Sequence, residues 1–391
     1  MQVEAQLRFI QFRHDILRHN NHIPTVLIAM MFFAVVYRGP SLPGEVREWF
    51  SVFFEISLSM VLAAVIWNYN KWVASFLLLV RVMMFYPHYG PMSYYAGQAV
   101  FNGCLWYLFV VMFFSVQNLN TLYRGMRILT YFHVPIAVLQ VLGVAGILSV
   151  PQPTGLMANP LELSALLLFC LPAFLVLRGK KVWPIAIPIA GIFIAGQSLG
   201  VLCLLAGASF YVAVKYNMYS PAIVLTSIVL GVCAFRDLIP MIFDRPGNEL
   251  SVSILNRLYV WKLGFKAWLQ HPLGAGIGHW KIVFDRPMAI DGRRWVTAHN
   301  EFLQMLFELG IGSAVLFIGY GISTAKKAAK KAVIPLTALI IIIAYSAASF
   351  PLHIAPTAMV AVTWIGVLTI YERDNSANNR GYPGFGRGLD A

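Results

Sequence analysis

The sequence predicts an all-α fold: a polytopic bundle of about twelve membrane-crossing helices with one long outer loop. Apolar residues make up 59% of the 391 and charged residues only 12%, against roughly 45–50% and about 25% in soluble domains. Mean hydropathy is +0.70, an excess spread along the whole chain rather than confined to one anchor. The basic residues behind the net charge of +13 cluster in short links between apolar runs. That placement orients membrane helices and argues against nucleic acid as the partner this charge serves.

A hydrocarbon core of about 30 Å takes about 20 mostly apolar residues. Runs that approach this fall at 22–38, 49–67, 72–87, 100–117, 128–150, 161–178, 182–197, 199–214, 219–235, 302–323, 332–351 and 355–371. The division at Gln197-Ser198 sets the parity, since one span there instead of two would put the C-terminus outside. With the N-terminus inside, the inner links hold Lys71, Arg124, Arg127, Arg178, Lys180, Lys181, Lys215 and the Lys326/Lys327/Lys330/Lys331 cluster, whereas the short outer links hold only Arg38 and Arg47. Both termini are therefore expected in the cytoplasm. Arg8, Arg13 and Arg18 precede the first run and no small-residue cleavage site follows it, so it reads as a retained span. Residues 1–21 place Val3, Leu7, Ile10 and Leu17 near one helical face, which suits a helix on the inner surface. Residues 22–371 form the membrane body, and 372–391, rich in Gly, Asn and Arg, read as a disordered cytoplasmic tail. Cys104, Cys170, Cys203 and Cys233 all fall in or at the ends of apolar runs without metal-ligand spacing, and read as small core residues.

Residues 236–300 are the long hydrophilic stretch, expected as a compact lobe on the outer face. Within it, 257–269 alternate apolar and basic residues at helical spacing. His271-Pro272-Leu273-Gly274-Ala275-Gly276-Ile277-Gly278 then stops the helix in a turn. Its backbone N–H groups suit an anion; the alternative is a tight connection that needs positive φ. Further on, His299 and Asn300 stand at the mouth of the tenth run. Asn300, Gln304 and Glu308 recur every four residues as one polar stripe on an apolar helix. Polar groups at membrane depth are costly and tend to face an interior cavity.

Two buried charges invite pairing. Glu55 on the second run and Arg81 on the third each lie about six residues below the outer face, about 9 Å deep at 1.5 Å per residue. Two readings stand: Glu55 and Arg81 neutralise each other, or Arg81 faces a central cavity.

The residues Arg257…His271-Pro272-Leu273-Gly274-Ala275-Gly276-Ile277-Gly278, then His299-Asn300-Glu301-Phe302-Leu303…Glu308-Leu309-Gly310, resemble the O-antigen ligase and polymerase superfamily. The long outer loop before the motif histidine is similar to that family's layout, and Gly155-Leu156-Met157-Ala158-Asn159-Pro160 resembles its Gly/Asn turn. There is a departure. The family often carries a Ser-Arg pair at the outer end of a middle span, whose arginine binds the donor diphosphate. Here that place reads Gln197-Ser198-Leu199-Gly200, so another arginine must serve or the member is inactive.

The resemblance implies a bacterial inner-membrane transferase that moves a glycan from undecaprenyl diphosphate to an acceptor hydroxyl at the periplasmic face. The acceptor is a lipid A–core sugar for a ligase, a second lipid-linked repeat for a polymerase, or a protein serine. His299 is the expected general base, titrating near its ordinary pKa. Arg257 is expected on the donor diphosphate, assisted by Arg293, Arg294 or Arg81. Asn300, Gln304, Glu308, Gly276 and Gly278 are expected to support the site. No metal or nucleotide is implied, because the donor already carries its diphosphate leaving group. The alternative of a different class is a transporter, against which stand the absence of repeated halves and the size of the 236–300 lobe.

Overall fold

The computed structural model describes residues 71–84, 119–143, 153–157, 159–176, 183–216, 247–284, 295, 297–328 and 332–378, all within the compact unit Ser59–Ala391. The expected runs 22–38, 49–67, 100–117 and 219–235 lie outside these residues, as do the 1–21 segment, Glu55, Arg293 and Arg294. Every regular element among them is a helix and none is a strand. In chain order they are α1 (Lys71–Met84), α2 (Leu119–Val141), α3 (Pro160–Cys170), α4 (Pro172–Leu175), α5 (Ala186–Ile194) and α6 (Ser198–Lys215). These are followed by α7 (Gly247–Gln270), α8 (His279–Phe284), α9 (Glu301–Leu309), α10 (Ile311–Ala328), α11 (Val333–Ser346) and α12 (Ala355–Asn378).

α3 is the hub. Its stretch Leu163–Cys170 is buried on every side, as a helix apolar all round must be. Asn159 caps it by accepting the Glu162 N–H at 2.9 Å, and Pro160 begins it where no N–H is needed. α2, α5, α6, α11 and α12 pack around it. The rings interlock: Tyr123 stacks on Trp364 and Phe169 meets Tyr345 edge-on. Trp364 Nε1 donates to the Phe169 carbonyl at 2.8 Å and Tyr345 Oη to the Leu161 carbonyl at 2.7 Å, so each buried polar tip has a partner. Cys170 and Cys203 are buried, free thiols in this body, in line with their reading as core residues.

α6, with 18 residues, is the one described helix long and apolar enough to cross a membrane, spanning about 27 Å. Shorter apolar stretches include Pro160–Leu175, Trp183–Ile194, Ile311–Thr324, Val333–Ser346 and Pro356–Thr369. The division at Gln197-Ser198 is a real break between two helices. Gly196 has φ +64° and Gln197 is extended, which ends α5 before α6 begins.

Three expectations are corrected. Hydropathy puts the fifth run at 128–150, but α2 begins at Leu119 and ends at Val141, near Gly143 with its φ of +61°. A hydropathy ruler starts at the first apolar stretch, whereas the helix continues through Arg124 and Arg127, which are good helix formers. The single run at 302–323 is two helices, α9 and α10, parted at Gly310. α9 has nine residues, about 14 Å, and is too short to cross a bilayer. The tail expected to be disordered from 372 remains helical through Asn378.

Described residues of the 236–300 stretch share a small core with α9. Val260, Ala275, Trp280, Phe284, Ala298 and Phe307 are buried together, with Trp280 packed on both Phe284 and Phe307. α7, α8 and α9 meet there.

Candidate active site

The glycine turn before α8 fastens onto the end of α9. Gly274 N–H donates to the His271 carbonyl at 2.8 Å, Ala275 N–H to the Phe307 carbonyl at 2.8 Å and Gly276 N–H to the Glu308 carbonyl at 3.0 Å. Ile311 N–H closes the clasp on the Pro272 carbonyl at 2.9 Å. Gly310 makes this possible. Its φ of +70° and ψ of −169° belong to a region essentially reserved for glycine, and a Cβ there would strike the Leu273 carbonyl. The N–H groups expected to cradle an external anion are therefore largely committed within the chain. What this turn does hold is the Glu308 carboxyl, which accepts from the backbone of Gly278 and from Trp280 N–H at 3.3 Å, and whose pKa burial pushes up. Gly276 and Gly278, at φ +106° and +78°, thus support the lobe by shaping this clasp.

The polar stripe on α9 divides by role. Asn300 is the cap, its Oδ1 accepting the Leu303 N–H at 3.0 Å, so it closes the helix start instead of facing a cavity. Gln304 and Glu308 are buried and joined, Gln304 Nε2 donating to Glu308 Oε1 at 3.2 Å. Gln304 Oε1 accepts Ala298 N–H at 3.1 Å, and the Ala298 carbonyl accepts Trp261 Nε1 at 2.8 Å. Both backbone groups of the residue before His299 are therefore pinned.

His299 has φ +49°, rare for a residue with a Cβ. Strain of this kind costs about 1–3 kcal/mol and persists where the surroundings over-determine it. Its ring stands edge-to-face against Trp295, at 4.9 Å between centroids, and Phe350, at 4.7 Å. Its Nδ1 is buried with no partner among the described residues. Arg257, from α7, reaches the same wall: Nη1 donates to the Ala348 carbonyl at 3.0 Å, while Nε is buried and unpartnered among the described residues. Arg257 and His299 thus converge on the Ala348–Phe350 turn.

Burial first, and the Arg257 charge second, push the His299 imidazole down to about 4. This corrects the expectation of an ordinary histidine: at neutral pH His299 is uncharged, and at rest it is a weak base. Burial also lowers the Arg257 guanidinium from its usual range, with the Tyr345 phenol working the other way.

Sequence reasoning missed a third participant. His353 Nδ1 lies 3.0 Å from Glu301 Oε2, with the Glu301 side chain 1% and the His353 side chain 23% exposed. Glu301 Oε1 also accepts the Leu352 N–H at 2.7 Å. Gln304 Nε2 approaches His353 Nε2 at 3.1 Å. Desolvation and this amide hydrogen both favour a neutral ring. The Glu301 charge, its hydrogen bond and the Glu308 charge prevail, holding His353 up at about 9. The local signals were Glu301 beside the motif histidine and the lone His353 between Pro351 and Pro356.

For the remaining predicted arginines no side chain is described. Arg81 lies on α1, with its backbone alone described, and Arg293 and Arg294 are outside the described residues, so the Glu55–Arg81 pair also falls outside them. Leu199, where the family arginine is lacking, packs against the main apolar core. Among the described residues no three His, Cys, Asp or Glu side chains are grouped as metal ligands.

Residues 164–318 match the family model described as O-antigen ligase. This stretch is about two-fifths of the chain and contains Arg257, His299, Glu301, Gln304 and Glu308. No curated protein matches the chain. The family comprises glycosyltransferase-like membrane enzymes of the bacterial inner membrane. The resemblance carried by the residues around Arg257 and His299 thus has independent support: residues 164–318 of this chain are similar to the O-antigen ligase family.

Proposed function

We propose that this protein transfers a glycan from undecaprenyl diphosphate to an acceptor hydroxyl, a lipid A–core sugar, at the periplasmic face of the inner membrane. The convergence of Arg257 and His299 on the Ala348–Phe350 turn carries this reading. Arg257 binds the donor diphosphate and stabilises the charge that grows on it as the anomeric C–O bond breaks. The acceptor oxygen forms the new bond to the anomeric carbon, its proton passes to His299, and undecaprenyl diphosphate leaves. The diphosphate offsets the Arg257 charge, the second of the two causes that depress His299, so the imidazole becomes a stronger base once donor is bound. Positioned bases of this kind contribute roughly 10²–10⁴ in rate.

Arg81, Arg293 and Arg294 are further candidates for the diphosphate, in place of the arginine lacking at Leu199. The proposed setting is a multi-pass body of about twelve spans with both termini cytoplasmic and residues 236–300 outside, acting without metal or nucleotide. Lipopolysaccharide from a deletion strain, run on a gel, tests the reading. Loss of long chains from the core, restored by the wild type and not by His299→Ala, is the expected outcome. A band carrying a single repeat would assign a polymerase instead, and an unchanged ladder would remove the proposal.

A further inference from the structure

We propose that the exposed apolar face of α7 rests in the outer surface of the lipid bilayer, making this helix a wall between the lipid and the Arg257–His299 site. The inference rests on the membrane setting proposed above.

Leu255, Leu258, Tyr259, Phe265 and Leu269 are each between 41% and 58% exposed. At 3.6 residues per turn they fall within about a third of the helix circumference. Lys262 and Lys266 share that face and are exposed too. Within the arc, Phe265, Leu258 and Leu269 lie toward one edge, Lys262 and Leu255 near its middle, and Lys266 and Tyr259 toward the other. The opposite face is already occupied. Asn256 and Val260 are buried, Gly264 abuts Trp280, and Arg257 reaches the Ala348 carbonyl.

Two observations choose the occupant. First, a second exposed apolar surface lies on α10, whose start is bonded to the turn that follows α7. Leu273 is 70% exposed and its neighbour Pro272 is bonded to Ile311 N–H. From Ile311 the exposed residues run on through Val315, Ile318 and Ile322, one stripe on a helix of 18 residues. A stripe of that kind on an apolar helix of that length suits acyl chains. Second, the charge on α7 complements phosphate headgroups. Lysines set among exposed apolar residues bury their stems there and hold the ammonium at the phosphates, a combination that helices at the membrane interface use. Since a helix is about 10–12 Å across, Arg257 on the far side lies about one helix diameter from the lipid.

The test uses the full chain in vesicles of phosphatidylethanolamine and phosphatidylglycerol. With the native cysteines replaced by alanine, nitroxides are placed singly at Leu258→Cys, Phe265→Cys and Leu269→Cys, and at Val212→Cys on α6 as the membrane reference. Leu255→Cys substitutes for any variant that fails to insert. Collisions with oxygen should exceed those with a water-soluble nickel chelate several-fold at all three α7 positions, as at Val212. Free access of the chelate to the α7 labels, with Val212 protected, would overturn the inference and leave the membrane reading intact. Chelate access at Val212 as well would overturn both. Dipolar broadening between α7 labels would mean that a second copy covers this face, and would overturn the inference.

Discussion

The Glu301 carboxylate holds His353 Nδ1 at 3.0 Å, tying the first residue of α9 to the link between α11 and α12. The two residues are 52 positions apart. This contact fixes the wall against which His299 packs, because Leu352 N–H is bonded to the same carboxylate and Phe350 is two residues earlier.

The pair has a pH signature. His353 is raised from 6.5 to about 9, so the folded state binds the proton that the unfolded state releases between those values. Its stabilisation is complete below about pH 6.5 and is lost as pH rises through 9. Melting in detergent at pH 7 and pH 10 should show a larger drop for the wild type than for Glu301→Gln. At pH 7 the variant should lose about 1–3 kcal/mol, less than the about 3–5 kcal/mol for breaking a fully buried pair, because water reaches His353. Equal pH dependence in the two proteins would refute the pairing.

His299→Ala should reduce transfer at least about 10²-fold while expression and membrane insertion stay normal. For the wild type, kcat/KM should fall with acid near the lowered value of about 4 and stay level through the range where a free histidine titrates. Arg257→Gln removes one cause of that depression, so the residual activity should lose its acid limb at a higher pH. An acid limb near 6.5 in the wild type would contradict the buried, neutral imidazole.

Arg257→Lys keeps the charge and loses the planar fork. A charge-assisted hydrogen bond is worth about 1.5–3 kcal/mol, so donor affinity should fall roughly tenfold to a hundredfold. Binding of a lipid-diphosphate donor to detergent-solubilised protein, measured by calorimetry, checks this; unchanged affinity would make Arg257 a structural bond to Ala348 alone.

Gly310→Ala should destabilise the lobe and abolish activity, with about 1–3 kcal/mol from the backbone strain alone and more from the collision with Leu273. Gly321→Ala is the matched control. Nothing lies within 4 Å of a Cβ there, so it should be neutral or stabilise by up to about 1 kcal/mol. Thermal shift measurements on both variants separate the clasp from any general intolerance of glycine replacement.

Composition was enough to read the helical class, and the local motif singles out Arg257 and His299, which both border the Ala348–Phe350 turn. Both lie within the matched stretch, and an arginine and a histidine stand out as candidates without reference to their neighbours. Periodicity also grouped Gln304 with Glu308, since residues four apart share a helix face wherever that helix goes. Periodicity does not say what the face meets. The same stripe reads as part of a crossing helix because Phe302–Ser323 is apolar between its polar residues, and hydropathy is blind to one glycine's φ. Gly310 takes its conformation from the clasp with Leu273 and Gly274, which arrive from 37 and 36 residues earlier in the sequence. The commitment of the turn's N–H groups, the Arg257 bond to Ala348 across 91 positions and the His353–Glu301 pair are likewise contacts between distant segments. Their energies depend on distance in space and on exclusion of water, and both come into being only when the helices pack.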